Sequence, residues 1–179
     1  DPGDLIPLAA LAAGFHELGH WTAVRLMGGE VRVLRLTVTG GNMELDHRRP
    51  LTYGGELAAI LAGPGVNLLL ALLCARLGGE REALYALSGL SLALGWFNLL
   101  PIYPLDGGRA LLLILSASTT PGRARQAVWG CSVILVALLL AAGMSLLWRG
   151  GRNLTLPGMA LWLLCGLTRR EEGRTPVKK

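Results

Sequence analysis

Residues 12 to 24 read AAGFHELGHWTAV. His16 and His20 are four apart, so on a helix both imidazoles leave one face a turn apart and can reach a single metal ion. Glu17 lies beside them and can hold a water at that metal without taking a ligand position. Zinc brings such a water toward neutral pKa, and a carboxylate takes its proton as it attacks a carbonyl. That is hydrolytic chemistry. A bland alternative is two satisfied interfacial histidines and a structural glutamate. The surroundings weigh against it, because Leu5 to Met27 is otherwise almost a membrane span, where each ionisable side chain is costly and usually functional.

A catalytic zinc takes a third protein ligand and keeps one position open. Glu44, Asp46, His47, Glu56 and Asp106 are the candidates. The first four lie in or beside a polar hairpin region, where charged residues are ordinary. Asp106 follows NLLPIYPLD and precedes Gly107 and Gly108, so the backbone there can bend to present a carboxylate to a neighbouring helix. It also falls at the same depth as His20, in the half of the membrane nearer Met27. Capping of a helix that starts at Gly108 is the competing use for it.

The composition sets the solvent for these groups. Of 179 residues, 52% are hydrophobic and 16% charged, with a mean hydropathy of +0.48; a soluble domain carries nearer a quarter charged residues. The net charge of +5 sits in gaps between apolar runs, so it argues topology and no nucleic-acid partner. Cys74, Cys131 and Cys165 lie singly in apolar surroundings and read as small buried hydrophobes.

The expected architecture is all-α and polytopic, with about five transmembrane helices, one of them broken, and a small membrane-associated β-hairpin. The helices are placed at 5–27, 56–77, 83–116, 127–148 and 154–167, and the hairpin at 30–46. The break near 101–107 follows from Pro101, Pro104 and the glycine pair. Residues 1–167 then form a membrane-embedded core and 168–179 a cytoplasmic tail. Thirteen of the 17 Lys and Arg residues fall on the side reached after the first span, which makes that side, with the tail and the site's opening, cytoplasmic.

HELGH in a first span, AGPGVN in a second and NLLPIYPLDGGR after a third together resemble the site-2 protease family of intramembrane zinc metalloproteases, peptidase family M50. The resemblance runs from Ala13 to about Leu167 and is closest to the stage IV sporulation type, which processes a sigma-factor precursor. It implies one zinc on His16, His20 and Asp106, with Glu17 activating water. It implies that Asn67 and Asn98 position the substrate or polarise its carbonyl, although amides in membrane helices first suggest helix–helix hydrogen bonds. The hairpin would guide an extended substrate by strand pairing. The implied function is an endopeptidase cutting in or near a transmembrane segment of a membrane-associated protein, with inhibitory or regulatory membrane proteins as further partners. Sporulation-type relatives carry a helix before HELGH and many a nucleotide-binding domain after the core; this chain has room for neither and is expected to be a core fragment or a minimal member. A zinc-binding scaffold or transporter core without hydrolysis is the alternative from another class.

Overall fold

The computed structural model describes residues 2–37, 40–45, 50–148 and 154–172. Among them are six helices and a two-stranded hairpin: α1 (Pro2–Leu26), β1 (Val31–Thr37), β2 (Gly40–Leu45), α2 (Tyr53–Leu77), α3 (Glu82–Asn98), α4 (Asp106–Ser118), α5 (Pro121–Trp148) and α6 (Thr155–Glu172). They fall into two compact units, Asp1–Leu99 and Leu100–Lys179.

The five-span architecture is therefore corrected. The break expected near 101–107 lies between two helices, α3 and α4, where Pro101 and Pro104 lack backbone donors and turn bonds replace the helix ladder. Among the described residues only two helices, α2 and α5, are long and apolar enough to cross a membrane. α3 and α4 are short at 17 and 13 residues, the apolar part of α6 covers only Thr155–Leu167, and α1 carries Asp4, His16, Glu17, His20 and Arg25 within its length. The two spans support an integral membrane protein. Only 17% of the apolar window of α5 is buried, whereas the core helix of a soluble protein would be mostly covered.

In the first unit, α1, α2 and α3 pack on one another. Ala12, Cys74 and Leu87, one from each helix, form a buried seam flanked by Leu8, Leu70, Leu84 and Leu94. α1 ends in a Schellman turn: Gly28 takes φ +80, Gly29 N–H donates to Val24 O at 2.9 Å and Gly28 N–H to Arg25 O at 3.1 Å. Arg25, in the last turn, stacks over Trp21 at 5.6 Å, a pairing suited to a membrane–water boundary. β1 and β2 pair antiparallel from Val31↔Leu45 to Thr37↔Gly40, with a bulge between Val31 and Val33, and join no larger sheet. α2 begins three residues earlier than the apolar run announced. Thr52 is its N-cap, accepting from Gly55 N–H at 3.2 Å.

In the second unit, α4 packs on α5 and α5 on α6. Gly143 lies where a Cβ would stand 2.9 Å from Pro157 Cδ, so a glycine lets α5 and α6 close up. Of the three cysteines, Cys74 is buried as expected, Cys131 is half-buried and Cys165 is exposed.

Candidate metal centre

Both histidines emerge from α1 toward α2. Their Nε2 atoms lie 3.1 Å apart and their rings cross edge to face at 84°. Two nitrogens bound about 2.0–2.1 Å from a tetrahedral zinc stand about 3.3 Å apart, so the pair is already near that spacing. His20 Nδ1 faces Ala59 O at 2.8 Å. A carbonyl only accepts, so this contact keeps the ring proton on Nδ1 and turns the Nε2 lone pair toward His16. His16 is buried, 6% exposed, and its Nδ1 faces the Asn67 amide nitrogen at 3.4 Å.

The close approach of α1 and α2 explains the small residues in both motifs. A Cβ on Gly19 would stand 2.8 Å from Ala62 O and 2.9 Å from Val66 Cγ2. A Cβ on Gly63 would fall on the His20 ring, 2.6 Å from Cε1 and 2.7 Å from Cδ2. On α3, Gly95 comes against Pro64 O and Asn67 Cβ, with a Cβ there at 3.1 and 3.2 Å from them. Gly19, Gly63 and Gly95 thus bring three helices together around the histidines. Sequence reasoning missed Gly63 and Ala59 as functional positions. The glycine carried a signal, since it costs helix stability where it stands, but a backbone carbonyl carries none.

Asp106 opens α4, buried at 6% exposure. It is the first helical residue and not the cap of a helix starting at Gly108; Leu105, extended at φ −60 and ψ 162, holds the cap position. The loop before it is held from several sides. Ile102 is fully buried, Leu105 N–H donates to Ile102 O at 2.8 Å, and Tyr103 N–H donates to Ser132 Oγ at 2.9 Å. Ser132 in turn donates to Val128 O at 2.7 Å. Gly108 packs where a Cβ would enter the Ile102 backbone. Arg109, one turn on, approaches Asp106 Oδ1 at 3.5 Å.

The first unit thus offers two imidazole nitrogens 3.1 Å apart, and the second a buried carboxylate at the start of α4. Glu17, half-buried, stands next to His16 on α1. The donor set of two imidazoles and a carboxylate suits zinc. Asn67 is brought to the histidines, as above. Asn98 is not part of that contact: at the end of α3 its Nδ2 donates to Leu94 O at 3.0 Å, within its own helix. Glu56 is exposed in the first turn of α2. Asp46 and His47 lie outside the described residues, as does the side chain of Glu44.

Residues 75–141 match the model of peptidase family M50. The site-2 protease from Methanocaldococcus jannaschii, a solved structure, superposes with a TM-score of 0.73 at 27% identity, covering 98% of this chain and 80% of that one. In sequence and in fold the chain is similar to the M50 site-2 zinc metalloproteases. A zinc metalloprotease of Methanocaldococcus jannaschii is 34% identical over 119 residues, 63% of this chain and 34% of that protein. Stage IV sporulation protein FB of Bacillus subtilis is 31% identical over 105 residues, 56% of this chain and 36% of that protein. The sporulation type is thus not singled out among the M50 relatives. The chain spans between about a quarter and a half of the length of the curated relatives it matches.

Proposed function

We propose that this chain is the catalytic core of an intramembrane zinc endopeptidase that hydrolyses a peptide bond in or near a transmembrane segment of a membrane-associated protein. The observation that carries the reading is the His16–His20 pair, its Nε2 atoms 3.1 Å apart with Glu17 beside it in the chain, and the third ligand it calls for is the buried Asp106 that opens α4. When bound, zinc would supply the Lewis acid that lowers a water's pKa and polarises the scissile carbonyl. His16 and His20 would hold it through Nε2 and Asp106 through a carboxylate oxygen. Glu17 then takes the attacking water's proton on its carboxylate and returns it to the departing amine.

A transmembrane helix hides its amides in its own hydrogen bonds, so the substrate must unwind before attack. The β1–β2 hairpin would pair with the unwound strand. The arginine bias supports a cytoplasmic tail and a site open to the cytoplasm. The substrate class is a membrane-associated protein; identities of 34% and 31% to two different relatives give no ground for naming a sporulation precursor over others.

The test compares parent, Glu17→Gln and Asp106→Ala on the same purified samples, measuring zinc content and cleavage of tagged membrane precursors. The parent and Glu17→Gln should each hold about one zinc, and Asp106→Ala should hold none. Glu17→Gln should cleave at least ~100-fold more slowly than the parent. Parent-rate cleavage by Glu17→Gln would give the proton transfer to another residue. Zinc without cleavage in the parent would favour the non-hydrolytic scaffold.

A further inference from the structure

Helix α2 faces the histidine pair at two places. His20 meets Ala59 and Gly63, while His16, a turn earlier on α1, meets Asn67 further along α2. Ala59 already has a clear task, since its carbonyl holds the His20 proton on Nδ1. Asn67 faces the same atom of the other ring. It is wholly buried, at 0% exposure, so it offers no open face to a peptide. Its Nδ2 lies 3.4 Å from His16 Nδ1, and its Oδ1 is buried with no hydrogen-bond partner.

These facts fit one arrangement. An imidazole that gives its Nε2 lone pair to a cation carries its proton on Nδ1, and that proton calls for an acceptor. A half-turn of the Asn67 amide exchanges Oδ1 and Nδ2 without changing its shape. Oδ1 then stands where it can accept from His16 Nδ1–H.

We propose that Asn67 is a positioning residue for the metal, accepting the His16 Nδ1 proton so that Nε2 is fixed in tautomer and direction, as Ala59 does for His20. This rests on the zinc reading of the site, and it departs from the substrate-positioning role that the family resemblance implied. The asparagine of AGPGVN and its first glycine then serve one purpose. Gly63 makes room for one ligand ring and Asn67 holds the other.

The test measures zinc affinity of the full chain in detergent, by competition with a chelator, and needs no substrate. Asn67→Leu keeps the branching at Cγ and removes the polar head. Asn67→Asp keeps an acceptor and removes the donor. The leucine variant should bind zinc about 10–100-fold more weakly, the usual effect of losing such a partner, whereas the aspartate variant should match or exceed the parent. Cobalt(II) loaded in place of zinc should give shifted visible absorption bands in the leucine variant and parent-like bands in the aspartate variant. Far-UV dichroism checks that each folds, and Asn67→Val replaces the leucine variant if that one loses helix. Parent-like affinity in the apolar variant overturns the proposal, as does an aspartate variant as weak as the leucine one, since the amide donor would then be what matters. A parent chain that binds no zinc overturns the metal reading and this proposal with it.

Discussion

Replacing Gly63 by alanine adds one methyl group to the wall that faces His20. The new Cβ would stand 2.6 Å from Cε1 and 2.7 Å from Cδ2 of the ring, while ordinary contact begins at 3.4 Å. The ring must therefore retreat by roughly 0.8 Å, more than the ~0.5 Å that a metal constellation tolerates. An aromatic ring cannot fold away as a lysine tip can, and this one is tied to Ala59 O at 2.8 Å. Overpacking a tight site costs about 1–3 kcal/mol. If that strain falls on the ring, zinc binding weakens about 5- to 150-fold, at 1.4 kcal/mol per factor of ten. The assay is chelator competition on purified protein, with Gly65→Ala as the matched control. Gly65 is exposed, and a Cβ there meets nothing within 4 Å. That variant should bind zinc as the parent does and gain slightly in helix stability, because alanine is the better helix former. Parent-like zinc affinity in Gly63→Ala would refute the steric argument, and equal weakening in both variants would show a helix effect instead of a contact.

Ser132→Ala should lower stability by about 1–3 kcal/mol, since the Tyr103 N–H loses this acceptor and the loop leading to Asp106 loses a tie. Denaturation in detergent reads this, and an unchanged midpoint would mean that Ile102 and Gly108 hold the loop without it. For orientation, cysteines introduced as Arg81→Cys and Arg174→Cys, in a chain whose natural cysteines are replaced, should label oppositely with an impermeant reagent in intact cells. Position 81 should react and 174 should not; the reverse result would invert the membrane orientation.

The chemistry was legible in the chain itself because it is local. Four-residue spacing puts His16 and His20 on one helix face in any environment, and an ionisable trio in an apolar run is too costly to be idle. Proline and glycine likewise announced the interruption before Asp106, with a helix on either side of it. Asp106 stood out among five candidate ligands by its backbone setting, yet only the fold shows it buried as the first residue of α4, because burial depends on packing that no short window contains. The count of spans failed for a related reason. Counting 83–116 as one broken span leaves out how short its two pieces are, 17 residues in α3 and 13 in α4. What each small or amide residue does was also a tertiary matter. Gly63, Gly95 and Asn67 look alike as softenings of a greasy helix, and only the packed structure distinguishes space for an imidazole, a helix crossing and a buried hydrogen-bond partner. Residue type and spacing select which reactions are possible; the helix approach distances decide which side chains meet to perform them.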